Sequence, residues 1–158
     1  MLIRIITVVA VLCGFVSLIY SQSAMPPGRY VEADDIVSAL ASSLEQRANF
    51  GVSRIDNGDD FDVNLIRRTA PAGSIIHSDA TEYHYITEGA GILVTGGVSV
   101  RPPGGGQANI EGGYAKRVSV GDTIVIPQGT PHQYTSVEGV VTYLEVRFKT
   151  AKYSTDNN

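Results

Sequence analysis

The chain carries three histidines, His77, His84 and His132, and each lies beside other potential metal ligands or inside a glycine- and proline-marked turn. Two of them bracket the stretch His77-Ser-Asp79-Ala-Thr-Glu82-Tyr-His84. The third closes Gly121-Asp-Thr-Ile-Val-Ile-Pro127-Gln-Gly129-Thr-Pro-His132. Neutral imidazole nitrogens and carboxylate oxygens are the usual ligands of Fe, Mn, Zn, Ni or Cu near neutral pH. The chemistry this predicts is coordination of one divalent transition metal by groups from two distant parts of the chain.

The elements that must position these groups read as strands. From Phe61 onward the pattern has a period of two, with Phe61, Val63 and Leu65 alternating with Asp62, Asn64 and Ile66. Apolar-rich runs follow at 74–77, 82–87, 91–95, 123–126, 132–137 and 140–148, most of them separated by Gly or Pro. Short strands at this spacing predict an all-β sandwich or barrel. Glu88-Gly-Ala-Gly91 predicts a tight hairpin connection. Residues 101–113, rich in Pro and Gly, predict a surface loop. Before the strands, Ile36, Val37, Leu40 and Leu44 recur at helical spacing, and Asp34 and Asp35 sit at the favourable N-terminal end. One amphipathic helix is therefore predicted over 34–47, packed on the outside of the domain or against a second subunit.

Residues 121–132 resemble the second cupin motif, Gly-(five residues)-Pro-x-Gly-(two residues)-His, at each fixed position as far as His132. Ser136 stands where the motif often has asparagine. Gly73, His77, Glu82 and Gly89 fill most of the first cupin motif. Asp79 replaces its second histidine, and the gap before Glu82 is one residue short. The resemblance covers 63–148. It implies a single-domain cupin, a double-stranded β-helix or jelly-roll barrel that holds a metal near its centre. Cupins are often dimers, so a homodimer is expected.

Strand alternation supports the same site independently. His77 shares a face with Ile75, and with Asp79 if the strand persists. Glu82, His84 and Ile86 share a face, as do His132 and Tyr134. The expected metal ligands are His77, Glu82 and His132. His84 either fills the place of the missing motif histidine or lies one shell out, with Asp79 in reserve. Glu82 and Tyr134 are the candidate catalytic groups, Glu82 tuning charge and Tyr134 donating a hydrogen bond or a proton. Tyr83 and Tyr85 belong on the opposite face. Arg67 and Arg68 end a strand, and whichever points inward could pair a substrate carboxylate. Tyr143 and Glu145 lie two apart, and one register would place both inside.

The chain has 158 residues, a net charge of −4 and no basic run, which argues against nucleic acid as a partner. Seventeen glycines, seven prolines and no tryptophan suit a turn-rich β domain. Residues 1–23 read as a signal peptide, with Arg4 before an apolar run over 5–19 and small residues Ser21 and Ser23 ahead of Ala24. A secreted or periplasmic location follows, with no membrane attachment after cleavage. Cys13, the one cysteine, falls inside this segment, so the mature chain has no disulfide. The remaining organisation is a linker and helix over 24–60, the barrel over 61–150 and a polar tail over 151–158. Three functions fit: a metal-dependent enzyme (dioxygenase-like, isomerase or lyase) acting on a small polar molecule, a non-catalytic small-molecule or sugar-binding module, or a structural barrel. The pattern does not identify the metal among Fe, Mn, Zn and Ni.

Overall fold

The computed structural model describes residues 24–150. The predicted signal peptide and polar tail lie outside the described residues. The predicted helix forms as α1, Ala33–Gln46, with Asp34 and Asp35 in its first turn. Its buried residue is Leu40, which packs with Leu44 on β1, Phe50–Asn57. Gly51 of that strand makes the close approach possible. A Cβ there would lie 2.8 Å from Leu44 Cγ. The Ser43 hydroxyl accepts a hydrogen bond from the Val52 amide at 3.0 Å and fixes the helix on the strand. Because β1 pairs with β2, Phe61–Arg68, the sheet begins ahead of residue 61. Among the described residues no helix is long and apolar enough to cross a membrane.

Two long strands organise the rest. β3 spans Ala80–Thr95 and β8 spans His132–Lys149, and they pair antiparallel along nearly their whole length. Between them lie β4 Val98–Val100, β5 Asn109–Glu111, β6 Tyr114–Ser119 and β7 Thr123–Ile126. The main sheet runs β1-β2-β8-β3-β6, with β7 also on β3, and β4-β5 form a separate pair. This is the predicted all-β jelly roll with one N-terminal helix. Within the predicted 101–113 loop, residues 109–111 pair as a strand with β4.

Two predicted strand breaks are instead bulges. The hairpin expected at 88–91 lies inside β3, and the break expected near Gly139 lies inside β8. The β3–β8 register shifts between Ile86 and Glu88 and again between Gly89 and Gly91. Bulges bend a strand without ending it, which lets one strand turn a barrel corner. Gly89 takes φ +69°, and Gly139 takes φ +77°. At Gly89 a Cβ would lie 1.8 Å from the Val140 carbonyl oxygen.

The core lies inside the bend. Ile66, Ile86, Leu93, Val118, Tyr134, Val141 and Tyr143 form one buried cluster. Register explains part of it, since Ile66, Tyr143 and Ile86 are cross-strand partners in one row of β2, β8 and β3. Gly89→Ala is expected to destabilise the fold by about 2–4 kcal/mol, because positive φ and a backbone clash combine. Gly96→Ala, at φ +76° with nothing within 4 Å, should cost only about 1 kcal/mol. Urea unfolding of both variants checks this. Equal losses would mean that the bulge does not constrain the sheet.

Candidate metal centre

The row of partners next to Ile66, Tyr143 and Ile86 is polar. Asn64, Glu145 and His84 face one another across β2, β8 and β3, and Arg147 faces Glu82 one step further. All of these except Arg147 are buried. His84 and Glu82 are each 1% exposed. Alternation alone puts this pair on the inner face of β3, and Tyr83 and Tyr85 on the outer one.

His132 arrives through the second motif. Gly121 at φ +91° makes the turn into β7, and the Asp122 carboxylate accepts the Ser119 amide at 2.8 Å. After β7, Pro127 accepts a hydrogen bond from the Thr130 amide, and Gly129 at φ +76° completes the turn. The same turn holds the His77 segment. The Gly129 amide donates to the His77 carbonyl at 2.9 Å, and Ile75 forms a two-bond bridge with His132. The strand predicted at 74–77 is thus a single bridge at Ile75, and the chain turns at Ser78-Asp79. Asp79, the reserve ligand, is exposed as a result and stays outside the cluster.

Glu82 is the hub. Its Oε1 lies 3.2 Å from Nε2 of His77. Its Oε2 lies 3.0 Å from Nε2 of His84 and 3.5 Å from Nε2 of His132. Glu145 Oε2 stands 3.8 Å from the same His84 nitrogen. Two sets of three ligand atoms converge and share Glu82: His77, Glu82 and His132, and Glu82, His84 and Glu145. A metal with ligand bonds of about 2.0–2.2 Å needs donor atoms roughly 2.8–4.2 Å apart, and these distances fall in that window. Glu82 Oε1 is buried without a hydrogen-bond partner among the described residues; its approach to His77 has the length but not the geometry of one. A cation would satisfy that oxygen. The donor set therefore fits a divalent metal.

Neighbouring groups orient these side chains. The His132 Nδ1 donates to the Thr130 carbonyl at 3.2 Å, which leaves Nε2 as a lone pair aimed inward. Burial holds the His132 imidazole below its usual value of 6.5, more than Glu82 and the Thr130 carbonyl raise it. It is neutral at physiological pH and ready to ligate. Burial alone would raise the Glu82 carboxyl, but the His84 hydrogen bond and the charges of His132 and His77 bring it below 4.5. Asn64 Nδ2 and Arg147 Nε both donate to Glu145 Oε1, at 3.0 and 2.9 Å.

Glu145, Asn64 and Arg147 were not singled out as ligands from sequence. The register of β8 decides them, and it places Tyr143 and Glu145 both inside. Tyr134 is buried and stacks on Tyr143 at 5.3 Å, and its hydroxyl has no partner among the described residues. Arg68 points inward at 7% exposure, while Arg67 turns outward and pairs with Glu88. A cavity of about 250 Å³ opens beside His77 and His132.

Known proteins agree with this architecture. The family model described as Cupin matches residues 63–157. No curated protein matches the chain. Among solved structures, the Cnp3 cupin domain of Schizosaccharomyces pombe has a TM-score of 0.50 at 8% identity, over 63% of this chain and 64% of that one. KdgF from Halomonas sp. has a TM-score of 0.50 at 16% identity, over 64% and 81%. The Fe(II) form of HppE has a TM-score of 0.51 at 12% identity, over 63% and 50%. The chain thus spans less than two thirds of the Cnp3 cupin domain and half of HppE. At these identities the likeness is one of fold.

The shifted His132 and Glu82 groups set a pH dependence for the metal-free protein. Both bind protons more readily in the unfolded chain than in the folded one. The His132 contribution is complete above 6.5 and is lost as pH falls from there toward its lower folded value. The Glu82 contribution is complete above 4.5 and is lost further down. Urea midpoints are expected to fall between about pH 7 and 5, and His132→Asn should flatten that first decline. A wild-type midpoint that rises on acidification would contradict the assignment.

Proposed function

Because this chain belongs to the cupin family, we propose that it is an exported cupin holding one divalent transition metal and catalysing a reaction of a small polar molecule. One observation carries the reading: three imidazole Nε2 atoms converge on both oxygens of one buried carboxylate, at 3.0–3.5 Å. Burying Glu82, His84 and His132 for packing alone is costly, since each displaces apolar contact and must be desolvated. Coordination explains these three and His77 at once.

In this reading His77, Glu82 and His132 are ligands, and His84 takes the place of the motif's missing histidine. A metal bound there supplies a Lewis acid, or redox chemistry if it is iron. The protein's own groups do the rest. Glu82 lowers the net charge of the centre. Glu145, held by Asn64 and Arg147, stands 3.8 Å from His84 Nε2 and adds negative charge beside the centre. Tyr134 keeps its proton, because burial pushes its phenol far up, so it serves as a donor and not as a base. Oxygenase, isomerase and lyase chemistries share the requirement for an open position beside the metal, and the cavity next to His77 and His132 meets it. Export rests on the composition of 1–23. A homodimer is included, supported by outward Phe61 and Phe148, cross-strand partners that are 41% and 56% exposed.

Metal analysis of the purified chain tests the centre. About one equivalent of a transition metal is expected, either as isolated or on titration. His132→Ala and Glu82→Ala should each weaken its affinity at least 100-fold. Wild-type affinity in both variants would remove the assignment. Metal uptake without turnover of any small polar molecule would favour the binding-module alternative.

A further inference from the structure

The cavity beside the metal centre has an electrostatic imbalance. Arg47, Arg54, Arg68 and Arg147 line it, against one lining carboxylate, Glu145. That carboxylate is already engaged with Arg147. The chain as a whole is acidic, at −4, so this positive wall is a local arrangement. A divalent ion in the adjoining centre would add to it.

Arg68 is the group held most firmly. It sits at 7% exposure, on the inner face of β2. Its guanidinium lies 4.4 Å from the Phe50 ring centroid and 5.8 Å from that of Tyr134. Its Nε donates to the Tyr143 hydroxyl at 3.1 Å. These contacts fix the plane of the fork, and the only one that uses an N–H uses Nε. The two terminal nitrogens donate to no side chain or carbonyl among the described residues, and no carboxylate among them pairs with this charge. Arg47 lies against the same ring at 4.5 Å and also pairs with no carboxylate among the described residues. Arginine held by its aromatic neighbours, with its terminal donors free, is preorganised for a bidentate oxyanion. Phe50 and Arg68 also border a second, more open cavity of about 590 Å³, which places the fork at the junction of the two spaces.

We infer that the ligand of this protein is a small organic oxyanion, carboxylate or phosphoryl, whose charged end is clamped by the Arg68 fork while its polar remainder reaches toward His77 and His132. The inference rests on the proposed metal centre for the second contact but not for the first. Arg68 acts in binding and orientation, and Arg147 is committed to Glu145. A neutral sugar of the same size would leave the guanidinium buried without a counter-charge. The ligand is therefore an acid.

Calorimetric titration of the full chain with succinate, its neutral isostere succinamide and inorganic phosphate tests this, in metal-free and zinc-loaded protein. Succinate or phosphate should bind the metal-free protein, and succinamide should bind at least tenfold more weakly. Arg68→Gln should weaken the anion at least tenfold and leave zinc affinity unchanged. Arg68→Lys, which keeps the charge and should fold even if the glutamine variant does not, should weaken it about fivefold or more because the fork is lost. Arg117→Gln, at an exposed position outside both cavities, should change affinity less than threefold. Phosphate binding in place of succinate would assign the phosphoryl class. Anion binding through Arg68 in a protein that takes up no zinc would uphold this inference and remove the metal reading. Equal binding of succinate and succinamide, no binding of either anion in both forms, or anion affinity indifferent to Arg68 would overturn it.

Discussion

A carboxylate sealed from water inside a β barrel needs hydrogen-bond donors or a cation, and the interior of this domain is arranged around that requirement. Glu82 is 1% exposed. An isolated ion so placed would take up a proton instead of remaining charged. Here its acidity moves the other way, below the usual range, because imidazoles surround it. The side chains nearest to it meet this requirement in part. His84 donates to it, His132 approaches the same oxygen and His77 the other, and Glu145 stands 3.8 Å from His84 while being held by Asn64 and Arg147.

The backbone explains how groups so far apart in sequence converge. β3 and β8 pair along their length, so Glu82, His84 and Glu145 follow from one register. His132 begins β8 while Glu145 lies near its other end, and only a bent strand brings both to one centre. The bulges at Gly89 and within 137–141 produce that bend. The turn at Pro127–Gly129 then ties the His77 segment to the start of β8 through the Gly129 amide. Stability and site geometry therefore depend on the same few backbone features. The cavity beyond them is positive through arginines at the end of α1 and on β1, β2 and β8, and not through the two motifs.

Much of this was legible in the residues. The Gly121–His132 spacing specifies a turn, a four-residue strand and a second turn, and those elements form. Glu82 and His84 at an interval of two must share a face once β3 exists. The helix followed from its apolar spacing within one residue. Other features were hidden for physical reasons. Glycine ends a strand or bends it depending on whether its neighbours keep their partners, so two bulges read as breaks. Asp79 shared a face with His77 only if the strand continued, and the turn at Ser78 ended it. On β2 the more apolar set, with Val63 and Leu65, faces outward, while Asp62, Asn64, Ile66 and Arg68 are buried, and all of these but Asp62 line the cavity. Composition favours the opposite choice, and only pairing with β8 decides it. Glu145 and the arginine wall were therefore beyond a reading by hydrophobic alternation.

The convergence of imidazoles on one acid is most directly tested by anomalous diffraction from crystals of the zinc-loaded chain. A single peak is expected inside the barrel, about 2.0–2.3 Å from Nε2 of His77 and His132 and from a Glu82 oxygen. A barrel without a peak, or rings of His77 and His132 turned away from Glu82, would contradict it.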